Sequence, residues 1–254
     1  EANRYPDECI AELSRILVSF HGNYSFITGV GMDGVIETLV RVLVDPGDKV
    51  TVSVPTFSFY RLAALAQGAD VVEILRAPDF SVDTRQFIRK AQDAKVSFLC
   101  TPNNPTGTVT PVEDIREILS AIGGVLFLDN AYVEFSDTDY RSLMNEFDNL
   151  VIGRTMSKAF ALAGARVGYA FVPRWLVPFY QRAATPFTLN SVSAIAAAGA
   201  LADRERMDEY VSYVRKWRDR FRKECPLSSP ASGANFIMFD TRPVSGDEMV
   251  RLLA

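Results

Sequence analysis

The residues best suited to chemistry lie in one stretch, from Arg154 to Tyr169. Within it, Lys158 follows Thr155 and Ser157, and Arg166 comes eight positions after the lysine. The lysine's other neighbours are mostly small or apolar, and burying a free ammonium among such side chains is costly. A lysine that forms an imine avoids that cost, because the imine replaces the ammonium. Hydroxyls before the lysine and a cation after it suit a phosphate group, so we interpret Lys158 as a cofactor-binding lysine.

The composition limits which partners and which kinds of catalytic site are possible. The chain has 254 residues, 48% of them hydrophobic and 23% charged, which is typical of a soluble globular protein with a sizeable core. A net charge of -4 disfavours nucleic acid or an anionic membrane as a partner. The single histidine, His21, excludes a histidine-based metal site and a Ser-His-Asp mechanism. The scattered cysteines and the absence of a long apolar run indicate a cytoplasmic protein.

The element pattern predicts how the chemical residues are positioned. Strand and helix patterns alternate from residue 26 to residue 172, which favours a mostly parallel sheet with helices on both faces. In such sheets ligands bind beyond the carboxyl ends of the strands. We therefore expect one crevice to collect the residues that follow five different strands: Asp33, Phe57, Asn104, Asp129 and Lys158.

The pattern changes after Pro173, where helices dominate. Tyr210, Val214, Trp217 and Phe221 recur at helical spacing and are predicted to lie in the core, and Asn235 to Phe239 is predicted as a strand. The chain opens without Met at Glu1 and stops inside a predicted helix, as a fragment would. We predict three segments: an N-terminal arm and helix (1–21), a large cofactor-binding domain (22–185), and interdomain helices with the start of a small domain (186–254).

Several motifs together resemble one family. They are Asn103-Asn104-Pro105-Thr106-Gly107, Asp129-Asn130-Ala131-Tyr132, and Ser157-Lys158 through Arg166. In this order they resemble the fold type I aminotransferases that use pyridoxal phosphate. The Arg-Tyr-Pro-Asp opening and the Pro-Thr-Phe turn look like the histidinol-phosphate aminotransferase branch. The resemblance runs from residue 3 to about residue 240 and implies an α/β fold: an aspartate-aminotransferase-like three-layer domain with a mostly parallel central sheet, plus a smaller, incomplete α+β C-terminal domain.

The resemblance also implies roles for the residues around the cofactor ring. Lys158 would form the internal aldimine and then move a proton between Cα of the amino acid and C4′ of the cofactor. Asp129 would pair with the pyridine nitrogen and keep the ring an electron sink. Asn104 and Tyr132 would hydrogen-bond the 3′-oxygen. Phe57 would stack on the ring at a position where many members of the branch carry Tyr.

The phosphate would be held by several elements. Thr155 and Ser157 would offer hydroxyls and Arg166 a bidentate fork. Backbone N–H groups at a helix N-terminus would add to them, from Met32 and Asp33, and Gly31 in the same turn is a further candidate for cofactor binding. By the same resemblance, Tyr5 would reach the phosphate of the neighbouring subunit, which implies a homodimer.

The implied activity is a ping-pong transamination. The expected pair of substrates is histidinol phosphate and 2-oxoglutarate, in histidine biosynthesis. An aromatic amino acid aminotransferase and a phospho-amino-acid decarboxylase on the same scaffold remain alternatives, because they share Lys158, Asp129 and Arg166. The family carries its substrate-carboxylate arginine beyond the point where this chain stops. A cofactor-binding sensor without turnover is an alternative of another class, and it predicts an attached helix-turn-helix that these residues do not contain.

Overall fold

A computed structural model describes residues 3–253, in which helix and strand alternate as the sequence predicts. The strands are β1 (Phe26–Val30), β2 (Lys49–Val54), β3 (Asp70–Leu75), β4 (Val96–Cys100), β5 (Val125–Asp129), β6 (Leu150–Thr155) and β7 (Val167–Phe171). The α-helices are α1 (Asp7–His21), α2 (Gly31–Leu43), α3 (Phe59–Ala66), α4 (Thr84–Ala91), α5 (Val112–Ala121), α6 (Leu176–Ala183), α7 (Ser191–Ala202), α8 (Arg204–Glu224) and α9 (Gly246–Leu253). Short 3-10 turns lie at Val133–Phe135, Arg141–Asn145 and Ala163–Ala165.

The seven strands form one sheet in the order β1-β7-β6-β5-β4-β2-β3. From β3 to β6 every neighbouring pair is parallel, whereas β7 runs antiparallel to both β6 and β1. The predicted mostly parallel sheet is therefore confirmed. Because β7 alone is reversed, its amino end lies at the same edge as the carboxyl ends of the other strands. That edge is where a ligand is expected.

The centre of the sheet is covered on both faces. Every residue of β4 and β5 is buried, and both strands are mostly apolar without alternation, as central parallel strands are. Aromatic side chains fill much of the space against them, including Tyr60, Phe98 and Phe127. This packing makes the sheet edge a rigid base for the loops that follow each strand.

Two predictions for the C-terminal part are wrong. Along α8, Trp217 is 45% exposed and Phe221 60% exposed, and with Phe236 they line an open groove rather than a core. The helical spacing identified an apolar face correctly, but within residues 3–253 no element covers it. Residues 235–239 are irregular, because no other described strand lies beside them to form a ladder.

Two further findings concern the part of the chain that the structure describes. No helix there is long and apolar enough to cross a membrane. Over the same residues, no cluster of three His, Cys, Asp or Glu side chains is arranged to hold a metal ion.

Candidate active site

A cleft opens at the sheet edge where the six carboxyl ends and the amino end of β7 meet. All the predicted site residues except Gly31 and Tyr5 line it: Met32, Asp33, Phe57, Asn104, Asp129, Tyr132, Thr155, Ser157, Lys158 and Arg166. The other lining residues are Tyr60, Cys100, Ala131 and Ala163. The strand ends thus bring together side chains that are up to 134 positions apart in sequence, from Met32 to Arg166.

A buried carboxylate lines the cleft. Asp129 is the last residue of β5 and is 3% exposed. The Tyr60 hydroxyl donates to its Oδ2 at 2.5 Å, and the Ala131 backbone N–H donates to its Oδ1 at 2.9 Å. Burial raises the pKa of Asp129 above its usual range, while these two hydrogen bonds act in the opposite direction. The carboxylate is therefore fixed in orientation and able to pair with a cation placed in the cleft.

Lys158 lies in the turn after β6 and is half-buried. Its Nζ is 5.3 Å from the centroid of the Tyr132 ring, so the amine lies over an aromatic surface that also lines the cleft. Backbone bonds hold the turn: Ala161 N–H donates to the Lys158 carbonyl at 3.0 Å, and Leu162 N–H donates to the Met156 carbonyl at 2.9 Å. The amine can therefore reach a reactive carbon held above the sheet edge.

Two hydroxyls lie just before the lysine. Thr155 Oγ1 donates to Ser157 Oγ at 3.0 Å, and the Ser157 backbone N–H donates to Thr155 Oγ1 at 3.1 Å. Thr155 is buried at the end of β6, whereas Ser157 is partly exposed in the cleft wall. The pair offers adjacent polar hydrogens to an anion at this end of the cleft.

Arg166 reaches the cleft because β7 is reversed. It directly precedes β7 and has a φ of 52°, an uncommon left-handed conformation for a residue other than glycine. Its carbonyl accepts the Gly31 N–H at 2.8 Å, which ties this turn to the start of α2. Gly31 itself has a φ of +68°, and a Cβ there would meet the Arg166 guanidinium. The left-handed backbone favours glycine at this crossing.

The guanidinium of Arg166 pairs with a carboxylate across the cleft. Its Nη2 lies 2.9 Å from Asp33 Oδ2, and the two side chains are 46% and 41% exposed. An ion pair this exposed is weak, so either partner can exchange it for another ligand at small cost.

The start of α2 supplies backbone donors. The first-turn N–H groups of a helix have no acceptor within the helix, and no side chain caps this one. The Gly31 N–H is bonded to the Arg166 carbonyl and is not available to a bound anion, so a contact between Gly31 and the cofactor stays a prediction. Met32 and Asp33 remain as the donors that the helix end directs toward the cleft.

The two asparagines of the Asn103-Asn104 motif have different surroundings. The Asn103 amide is buried and donates to the Pro55 carbonyl at 3.0 Å and to Thr106 Oγ1 at 2.9 Å, so it holds the turn. Asn104 is partly exposed and lines the cleft. Phe57 also lines the cleft, with its ring edge-on to that of Tyr60 and the centroids 5.6 Å apart.

Tyr5 lies outside the cleft of its own chain. Its ring is 73% exposed and stacks on Phe187, with centroids 4.2 Å apart. Tyr5 is therefore not among the residues that line the cleft of its own chain.

Sequence reasoning missed Tyr60 and Cys100. Both lie in apolar patterns, Tyr60 in α3 and Cys100 at the end of β4, and such patterns indicate packing. Burial raises the pKa of the Cys100 thiol to about 12, so this thiol is protonated and unreactive. A usable signal for Tyr60 was its spacing from Phe57: it lies three positions further on, as the second residue of the helix that follows the same strand.

Comparisons with known proteins show which family this chain belongs to. The family model for aminotransferase class I and II matches residues 1–253. A histidinol-phosphate aminotransferase from Methanoculleus marisnigri is 61% identical over 254 residues, which cover all of this chain and 72% of that protein.

Solved structures give the same result for the fold. One is the histidinol-phosphate aminotransferase of Sinorhizobium meliloti, which was solved in complex with pyridoxal-5′-phosphate. It is 26% identical to this chain and has a TM-score of 0.85, and the match covers 93% of this chain and 67% of that one. The enzyme of the same name from Clostridium acetobutylicum is 22% identical with a TM-score of 0.91, over 99% of this chain and 78% of that one, and it supports the fold alone. By the family match and the relative's identity, the chain belongs to the aminotransferase class I and II family.

Proposed function

We propose that this protein is a pyridoxal-phosphate-dependent aminotransferase that acts on histidinol phosphate and 2-oxoglutarate by a ping-pong mechanism. The observation that carries the proposal is the set of groups gathered in one cleft. A buried carboxylate, a lysine amine over an aromatic ring, and a group of hydroxyls, helix amides and a guanidinium all line it. This set matches a flat cationic ring that carries a carbonyl carbon and a phosphate.

The donor set also fits the cofactor in charge. Asp129 is buried without a cationic side chain bonded to it among the residues described, so a protonated ring nitrogen would supply the missing counter-charge. Within residues 3–253 the only carboxylate paired with Arg166 is that of the half-exposed Asp33, and a phosphate dianion is a stronger partner for it. The two charged ends therefore complement the two charged ends of the cofactor.

Around the ring, each residue has a proposed task. Lys158 would hold the cofactor covalently and then move a proton at Cα of the amino acid. Asp129 would keep the proton on the pyridine nitrogen, and Asn104 and Tyr132 would bind the ring oxygen. Phe57 would stack on the ring face. The bound cofactor supplies an electron-withdrawing ring that weakens the bonds at Cα.

At the opposite end, the phosphate would bind where positive charge and N–H groups collect. Thr155 and Ser157 would donate hydroxyl hydrogens, and Arg166 would donate two N–H bonds in its fork. The amides of Met32 and Asp33 would add the partial positive charge of the α2 N-terminus. These groups would anchor the cofactor while bonds at the lysine are made and broken.

The choice of substrate rests on the relatives. The name of the Methanoculleus marisnigri relative, 61% identical over the whole of this chain, gives histidinol phosphate as the amino donor of that protein. We extend that assignment to this chain, with a place in histidine biosynthesis and 2-oxoglutarate as the amino acceptor.

The proposal includes an assembly, a location and a domain division. We propose a cytoplasmic homodimer in which Tyr5 reaches the phosphate of the neighbouring site. Its exposed ring beside Phe187 leaves it accessible for such a contact. We also propose the division into 1–21, 22–185 and 186–254, since all strands found in residues 3–253 lie between Phe26 and Phe171.

Half-reaction spectra test the substrate. Protein loaded with pyridoxal phosphate is mixed with histidinol phosphate, tyrosine or phenylalanine, without a 2-oxo acid. We expect histidinol phosphate to remove the visible absorption of the bound cofactor at the lowest concentration, and added 2-oxoglutarate to restore it. Reaction with the aromatic amino acids but not with histidinol phosphate would reject this substrate while leaving the aminotransferase assignment in place.

A further inference from the structure

Tyr60 is a fully buried residue of the cleft to which the proposed mechanism assigns no task. Its hydroxyl donates to Asp129 Oδ2 at 2.5 Å, and it is 0% exposed. Among the described residues, no other side chain donates a hydrogen bond to this carboxylate, whose second oxygen accepts only the Ala131 N–H. Loss of the Tyr60 hydroxyl would leave a buried carboxylate oxygen without a donor, which is costly for the charged form.

The Tyr60 ring is held in place from two sides. It stacks on Phe98 with centroids 5.0 Å apart and an interplanar angle of 8°. It also meets Phe57 edge-on, with centroids 5.6 Å apart and an angle of 83°. The same ring therefore supports the proposed cofactor-stacking residue and, through its hydroxyl, the proposed partner of the pyridine nitrogen.

We propose that Tyr60 is a positioning residue that holds Asp129 oriented and ionised for the cofactor's ring nitrogen and supports Phe57 against the ring face. This inference rests on the proposed function, because it concerns how the Asp129 carboxylate used in that function is kept oriented and ionised. Tyr60 acts through Asp129 and Phe57, and the reacting atoms lie beyond its reach in the mechanism proposed above.

The electrostatics of the site determine in which direction loss of the Tyr60 hydrogen bond shifts the ionisation of Asp129. Burial raises the pKa of Asp129, so its charge is present above that pKa and is lost as the pH falls through it. The Tyr60 hydrogen bond opposes this rise, and losing it would move the ionisation to higher pH. Burial and the nearby Asp129 raise the pKa of Tyr60 itself well above its usual value, so Tyr60 remains a donor at working pH. The other ionisable groups facing Asp129 are Asp33 on α2, Cys100 on β4, Tyr132 after β5 and Lys158 after β6.

The test measures the affinity for pyridoxal phosphate as a function of pH in the wild type, Tyr60→Phe and Tyr180→Phe. Tyr180 is the matched control, because it is also buried and its hydroxyl donates to the Thr28 carbonyl at 3.0 Å, away from the cleft. We expect Tyr60→Phe to move the acid-side midpoint up by about 1 to 2 pH units, the effect of one hydrogen bond to a charged group. Tyr180→Phe should not move it.

A second experiment starts from the Asp129→Asn variant and distinguishes a positioning role of Tyr60 from a packing role. In Asp129→Asn the titrating carboxyl is gone, so adding Tyr60→Phe should no longer shift the midpoint. An unchanged midpoint in Tyr60→Phe, or a uniform loss of affinity at every pH, would overturn the proposal. A wild type that does not bind pyridoxal phosphate would overturn the proposed function instead.

The hydrogen bond can also be observed if the Tyr60→Phe protein does not fold. In wild type without cofactor, the Tyr60 hydroxyl proton should give a slowly exchanging, downfield-shifted NMR resonance, because it is buried in a short bond to a carboxylate. Asp129→Ala should remove that resonance. Its absence from the wild-type spectrum would overturn the inference.

Discussion

The cleft holds charge in two different surroundings, which we call the buried end, around Asp129, and the exposed end, around Arg166 and Asp33. At the buried end, Asp129 is 3% exposed and fixed by Tyr60 and the Ala131 amide. At the other end, Arg166 and Asp33 form a pair whose side chains are 46% and 41% exposed. The first end is ordered by burial before any ligand arrives, whereas the second is a solvated pair that can exchange partners.

This difference indicates what each end contributes. A buried charge interacts strongly and is screened little by salt, so its placement affects the electronic state of whatever it touches. A half-exposed charge contributes less to stability but binds and releases an anion readily. We infer that the buried end controls the rate of the reaction and adds to cofactor affinity through the Asp129 charge, whereas the exposed end acts on cofactor affinity alone. The predictions below test that division.

The largest effect is expected at the buried end. Asp129→Ala should keep the cofactor bound to Lys158 but lower the rate of the half-reaction by at least about a hundredfold, since a preorganised charge beside the reacting system is lost. Single-turnover absorbance changes measure this rate. Asp93→Ala, which removes an exposed carboxylate bonded to Lys49, serves as the control and should have no effect on it. A rate within a few fold of wild type would contradict the role given to the buried end.

At the exposed end we expect a smaller effect, and it should appear in the affinity for the cofactor instead of in the reaction rate. Arg166→Lys keeps the charge but removes the bidentate fork, so the affinity for pyridoxal phosphate should fall by about tenfold or more while the single-turnover rate of loaded protein changes little. Equilibrium titration measures the affinity. Arg61→Lys is a matched control, because Arg61 is also half-exposed and paired with Glu73. If the rate fell as much as the affinity, the two ends would not be separable.

The smallest effect is expected at the partner of Arg166. Asp33→Asn frees the guanidinium and removes a negative charge near the phosphate, so cofactor affinity should rise by up to about fivefold, the range of an exposed ion pair. The gain should shrink as ionic strength increases. A loss of affinity greater than tenfold would mean that Asp33 orients Arg166 for the phosphate instead of competing with it.

Much of this arrangement could be predicted from the sequence because each chemical residue follows a strand. Asp129 ends a continuous apolar run and Lys158 follows another, and the carboxyl ends of parallel strands share one edge. The strand and helix patterns up to residue 172 were sufficient to place both residues at that edge. The fold and family predictions are confirmed by the sheet and by the comparisons.

The remaining details depend on contacts that local patterns do not encode. Tyr60 bonds to Asp129, 69 positions away, and nothing in the apolar pattern of α3 indicates where its hydroxyl points. The Gly31 N–H is occupied because Arg166 adopts a left-handed backbone, which few residues other than glycine do. The exposed face around Trp217 shows the same limit, since helical spacing identifies an apolar face but not what covers it.

The central claim is that Lys158 carries the cofactor. Protein incubated with pyridoxal phosphate, reduced with borohydride, digested and analysed by mass spectrometry should show one modified peptide containing Lys158. Lys158→Ala should abolish both this modification and the visible absorption. Modification at another lysine, or unchanged absorption in Lys158→Ala, would contradict the account.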